Sequence, residues 1–235
     1  MWQQGKMMAA PLGRYETYRN PADGTDIESY FAVPAKVPAP AVLMLRGIAG
    51  PDSGYSEIAD RLAANGYAAL VHRWQVRGDD PPDAPLIEDI RAALAFLRGR
   101  PEVDAGRIAA FGYCKGGGQA LLAAAELPEI RAVVAFHGFA RRPDGPDAAH
   151  RNPLDVAERI KRPVLLLHGE DDTLSRLPTM MELSCALNSA GAAAELHVYP
   201  GANHGFAVST HKGYQADAAS DSFSRGVAFL AVNLR

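Results

Sequence analysis

The chain has 235 residues, 48% hydrophobic and 22% charged, which is the make-up of an ordinary globular protein long enough to bury a substantial core. A formal net charge of −3 leaves no basic excess to neutralise phosphate and argues against nucleic acid or an anionic membrane as the main partner. Two cysteines make no disulfide framework, no run approaches the roughly 18 apolar residues that span a bilayer, and Met1–Met8 lacks the apolar stretch of a signal peptide, so a reducing cytoplasmic compartment is expected.

Residues 1–14 read as a loose arm, followed by one domain over 15–235. Strands are expected at Glu28–Val33, Ala41–Arg46, Ala68–His72, Arg107–Phe111, Ala132–Phe136, Pro163–His168 and Ala194–Tyr199. Several are continuous apolar runs, such as Val164-Leu165-Leu166-Leu167, as strands covered on both faces require. Helices are expected between them, at Tyr55–Asn65, Pro85–Arg98, Lys115–Leu127, Leu177–Ala190 and Ser220–Leu234. In the second, Leu86, Ile90, Ala93, Leu94 and Leu97 follow the helical period, and Asn65-Gly66 and Ala190-Gly191 stop the first and fourth. The alternation predicts an α/β fold with a mostly parallel sheet and helices on both faces. Polar, Pro-rich breaks at Gly78–Pro85 and Arg141–Pro153 read as loops near a cleft that set specificity.

In an open parallel sheet, functional side chains collect beyond the C-terminal strand ends. Three reactive groups fall there. Cys114 sits in Gly112-Tyr113-Cys114-Lys115-Gly116, between a strand and a helix. Asp171 and Asp172 follow the strand ending at His168, and His204 follows the strand ending at Tyr199. Nucleophile, acid, histidine is the chain order of α/β-hydrolases, and Gly-x-nucleophile-x-Gly is their elbow, here with cysteine for serine. A thiolate is favoured at a helix N-terminus, with Lys115 adding positive charge. His204 would move the proton and an aspartate would orient it. Asp172 is preferred over Asp171, because the Gly-x-x-Asp spacing from Gly169 is usual in such folds. The backbone N–H groups of Lys115 and Ile48 are the expected oxyanion donors.

On Gly112-Tyr113-Cys114-Lys115-Gly116-Gly117, the Gly169-to-Asp172 turn and Asn203-His204-Gly205-Phe206, the chain resembles the dienelactone hydrolase family over nearly all of residues 25–235. The resemblance implies hydrolysis of a small lactone or ester through a thioester acyl-enzyme, without metal or organic cofactor. It also implies differences. Where dienelactone-opening members carry a glutamate beside the resting cysteine, this chain has Gly47. Where they carry an arginine four residues after the histidine, it has Val208. Arg46, Arg73 and Arg77 are candidate substitutes, and Trp74, His137 and Phe206 are candidate pocket residues.

Plainer readings compete with these. Cys185, in an apolar helix, is expected to be a small core residue, and His168 and His137 to be structural. The histidines lack metal-ligand spacing, and no phosphate-loop motif accompanies Gly116-Gly117-Gly118. Other readings of the whole chain are a general carboxylesterase or thioesterase of the same fold, a catalytically silent binding protein, and a thiol-based redox function.

Overall fold

A computed structural model describes residues 12–48, 52–78, 80–142 and 147–235. It contains an eight-stranded sheet of β1 (Gly13–Arg19), β2 (Asp26–Ala32), β3 (Ala39–Leu45), β4 (Ala68–His72), β5 (Val103–Tyr113), β6 (Ile130–Phe136), β7 (Val164–Gly169) and β8 (Ala194–Tyr199). The order is β1-β2-β4-β3-β5-β6-β7-β8. The β1–β2 and β2–β4 pairings are antiparallel and the rest parallel. Helices α1 (Ser53–Ala64), α2 (Asp83–Arg98), α3 (Lys115–Glu126), α4 (Leu177–Ser189) and α5 (Ala216–Asn233) cover it.

Strand periodicity builds two cores. On β3, Leu43 and Leu45 face a core shared with α2, α3 and α4, while Val42 and Met44 face one shared with α1 and α5. β5, β6 and β7 alternate in the same way, with Ile108 and Ala110 against Ala109 and Phe111, and Leu166 against Leu165 and Leu167. Both faces are therefore apolar, which is why these strands read as unbroken hydrophobic runs. Each fully buried leucine or phenylalanine contributes about 1.5–3 kcal/mol.

The sequence expectation of an arm over 1–14 needs correction at its end. Residues 1–11 lie outside the described residues, but Gly13 and Arg14 open β1, an edge strand paired with β2. Its residues are mostly exposed or half-buried, and only Tyr18 is buried, so no apolar run announces the strand. Cys185 also departs from expectation. Met180, Leu183 and Leu187 form the buried face of α4, and Cys185 is exposed.

Register decides where the chemistry lands. Leu45 pairs with Gly112, Tyr113 with Phe136, Phe136 with Leu167, and Gly169 with Tyr199. The C-terminal ends of β3, β5, β6, β7 and β8 thus share one edge, and the loops carrying Gly47, Cys114, His137, Asp172 and His204 all open there.

Candidate active site

The turn from β5 into α3 is tight because two glycines remove side chains that could not be housed. A Cβ on Gly116 would lie 2.0 Å from the Leu45 carbonyl oxygen, and one on Gly112 would lie 2.2 Å from that of Gly116. Cys114, between them, has φ of 55° and ψ of −123°, a conformation a non-glycine residue holds only when its surroundings impose it. Two backbone bonds impose it here. The Cys114 N–H donates to the Phe136 carbonyl at 3.0 Å, and the Gly117 N–H donates to the Cys114 carbonyl at 2.9 Å. The thiol-bearing residue is half-buried. The N–H of Lys115 belongs to the first turn of α3, where it has no intrahelical acceptor.

Across the sheet edge, the β7 and β8 loops are bonded to each other by Glu170 N–H to the Tyr199 carbonyl at 3.0 Å and Asp171 N–H to the Ala202 carbonyl at 2.9 Å. Asp172 is buried, and its two oxygens have separate tasks. Oδ1 accepts from the Leu174 and Ser175 N–H groups at 2.9 and 2.8 Å, and Oδ2 lies 2.8 Å from His204 Nδ1. Asp171 faces solvent. Ser175 is also buried, and its hydroxyl donates to the Gly138 carbonyl at 2.6 Å, tying this loop to the end of β6.

Burial alone would lower the His204 pKa. The Asp172 hydrogen bond and the interaction with the Cys114 thiol outweigh it and raise the value to about 9. His204 Nε2 is buried, and the Cys114 thiol raises the pKa of the ring both by hydrogen bonding and by charge, while Asp172 holds Nδ1. His137 packs edge-on against the His204 ring, with centroids 4.8 Å apart, and is itself fully buried at φ of 37°. Burial pushes its pKa well below the ordinary range, with His204, His211 and His168 adding to the effect, so it stays neutral beside a protonated His204. His168, equally buried, lies 2.7 Å from the Ser175 carbonyl through Nε2.

The structure brings together Cys114, Lys115, Asp172, His204, His137 and Ile48, and sets the other sequence candidates apart. Trp74 and Phe206 are fully buried and cannot touch a substrate directly. Trp74 instead donates to the Arg46 carbonyl at 2.9 Å and lies under the Lys115 ammonium, 4.8 Å from its ring centroid. Phe206 packs between His137 and Tyr199. Arg46 is buried, pairs with Asp52 and sits 5.0 Å from the Tyr55 ring centroid. Arg73 reaches Glu28 at 3.4 Å, and Arg77 bonds the buried Asp89 through two nitrogens at 2.8 and 2.6 Å, besides Asp23. These arginines hold the N-terminal half of the sheet to its loops. The Lys115 ammonium is paired with Asp80. A Cβ at Gly47 would lie 3.0 Å from both Cys114 Cβ and the Tyr55 hydroxyl, a tight approach in which a side chain beside the cysteine requires its neighbours to give by a few tenths of an ångström.

A cleft of about 280 Å³ opens beside the elbow, with Ile48, Lys115, Gln119, Leu122, Phe139 and Arg142 among its walls. Phe139 also lies 5.4 Å from the His204 ring centroid, with the two rings tilted, so one wall of the cleft touches His204. The two Pro-rich loops meet over it. Arg142 Nη2 donates to Asp80 at 2.9 Å, and the Arg151 N–H donates to Asp83 at 2.6 Å; residues 79 and 143–146 of these loops lie outside the described residues. Sequence reading did not single out Gln119, Phe139 or Arg142. One signal was available: Gln119 is the only uncharged polar side chain in the Gly-, Ala- and Leu-rich α3. Among the described residues no cluster of three or more histidine, cysteine or acidic side chains is arranged to hold a metal ion, and no helix is long and apolar enough to cross a membrane.

A family model for the dienelactone hydrolase family matches residues 27–234. A protein of Methylorubrum extorquens named "Putative carboxymethylenebutenolidase" is 33% identical over 219 residues, covering 85% of this chain and 74% of that one. One of the same name from Salmonella typhimurium is 30% identical, covering 90% and 84%. The crystal structure of a "Putative Dienelactone Hydrolase" from Klebsiella pneumoniae superposes with a TM-score of 0.84 at 28% identity, covering 93% of this chain and 98% of that one. With its α/β sheet, its elbow and this span of similarity, the chain belongs to the dienelactone hydrolase family, hydrolases that act on ester and lactone bonds.

Proposed function

We propose that the protein cleaves a small ester or lactone through a thioester formed on Cys114. The observation that carries this reading is the juxtaposition of a strained, half-buried cysteine with a histidine already held by a buried aspartate. His204, with its pKa raised to about 9, holds a proton at neutral pH and stands ready as the acid of the first half-reaction. The Cys114 thiolate attacks the carbonyl carbon, and the N–H groups of Lys115 and Ile48 receive the oxyanion. The intermediate collapses by breaking the C–O bond, and His204 gives its proton to the leaving alkoxide. Now neutral, His204 takes a proton from water as that water attacks the thioester, and the thiolate leaves as the carboxylic acid forms. Asp172 holds the imidazole tautomer through both halves. Thiolate is a good leaving group from the second intermediate, which suits activated or strained esters better than amides.

The same-fold alternative is a general carboxylesterase or thioesterase, supported by the absence of a carboxylate at Gly47 and of an arginine at Val208. Turnover of lactones, p-nitrophenyl esters and acyl-CoA thioesters by the wild type and by Cys114→Ala separates these. The expected result is a loss of about 10⁴–10⁶-fold in the variant for every accepted substrate, with the fold unchanged. Hydrolysis retained by Cys114→Ala would refute the mechanism, and no turnover of any substrate by the wild type would favour a silent binding protein.

A further inference from the structure

The proposed mechanism employs Cys114, Asp172 and His204 but leaves a buried polar side chain without a task. Gln119 is 5% exposed, and neither its Nε2 nor its Oε1 has a hydrogen-bond partner. A buried amide with both ends unmet costs stability and calls for a partner. Its position points to a ligand as that partner. Lys115, Gln119 and Leu122 share one face of α3 at helical spacing, so Gln119 lies one turn beyond the proposed oxyanion donor, on the wall of the cleft. The rest of that wall is apolar, with Leu122, Phe139 and Pro153, and the volume of about 280 Å³ suits a small ligand.

The rim argues against a charged ligand group. Lys115 and Arg142 both bond Asp80, and Arg151 pairs with Glu126, so the rim cations already face carboxylates of the protein. What the cleft lacks is a neutral partner for the amide.

We propose that Gln119 is a specificity-determining residue of this cleft and reads a neutral hydrogen-bonding substituent on the substrate, in the simplest case a hydroxyl carried by a lactone or ester. A hydroxyl accepts from the Nε2–H or donates to Oε1, and either bond gives the buried amide a partner. An unsubstituted acyl group fills the same space and leaves both ends unmet. This rests on the reading of Cys114 as the reacting group only for the choice of substrate.

The test is binding of α-hydroxy-γ-butyrolactone and of γ-butyrolactone, by calorimetry or ligand-observed NMR, to Cys114→Ala and to the same protein with Gln119→Met. Turnover of both lactones with Cys114 intact is measured in parallel. The expected result is tighter binding of the hydroxylated lactone by about 5–150-fold with Gln119 present, the factor for one buried hydrogen bond. No preference is expected in Gln119→Met, where a side chain of similar volume offers neither donor nor strong acceptor. In turnover the change falls on KM more than on kcat. Should Gln119→Met fail to fold, Gln119→Asn keeps the amide with a shorter reach and is expected to weaken the preference. Equal binding of the two lactones, no binding of either, or a preference that survives Gln119→Met would overturn the proposal. Failure of the catalytic reading is distinct: Cys114→Ala would then still hydrolyse a lactone, whatever the binding preference.

Discussion

The two sides of Cys114 are built on opposite terms. On the β7–β8 side the aspartate that orients the histidine is fully engaged: Asp172 meets two backbone N–H groups and His204, and Ser175 anchors the loop to Gly138. On the α3 side the cleft holds a buried amide with no partner. A satisfied network is rigid and orients a proton carrier, whereas an unsatisfied group in a cleft is a demand placed on a ligand. The comparison separates what the protein supplies for any substrate from what it leaves for a particular one.

The largest expected effect lies on the satisfied side. Asp172→Asn should cut turnover by about 10⁴-fold, because the imidazole loses its fixed tautomer and the charge that stabilises its protonated form. Asp172→Ala should do the same and also destabilise the fold by about 1–3 kcal/mol, since the Leu174 and Ser175 N–H groups lose their acceptor. Thermal unfolding of the two variants beside activity checks the split. If Asn and Ala were equally stable, Oδ1 would have no structural task.

A smaller effect follows from pH. The folded-state pKa of His204 is raised from 6.5 to about 9, so the stability it contributes is fully present below pH 6.5 and is lost as pH rises through about 9. The melting temperature of the wild type should therefore fall relative to that of His204→Gln across this window. A constant difference between the two would remove the imidazolium from the account. The smallest effect is on the cleft side. Gln119→Met replaces an unpaired buried amide with an apolar side chain and should leave the melting temperature unchanged or raise it by a few degrees. A clear fall would mean that Gln119 has a structural partner.

Much of this arrangement was legible in the chain, and the reasons are local. β4 and β8 were readable at their exact bounds because their flanks change character abruptly, and the elbow was readable because Gly112 and Gly116 have no purpose outside a close approach. The Gly169-to-Asp172 spacing singled out the aspartate that lies beside His204. What escaped reading depended on long-range partners. β1 is a polar edge strand whose pairing with β2 cannot be seen in its own residues. The arginines offered for substrate contact, Arg46, Arg73 and Arg77, are taken by Asp52, Glu28 and Asp89, and no local pattern reveals that pairing. Trp74 and Phe206 sit near the site in sequence but under it in space. Gln119 looked like one more helix former, and only its burial without a partner set it apart.

The central claim is that Cys114 carries the acyl group, and it is tested most directly by trapping. Wild-type protein mixed with p-nitrophenyl acetate, quenched in acid within the first turnover and digested, is expected to yield the Cys114 peptide bearing an acetyl group that hydroxylamine removes. Steady turnover with acetyl on another residue, or with no covalent species on Cys114 at any quench time, would contradict the account.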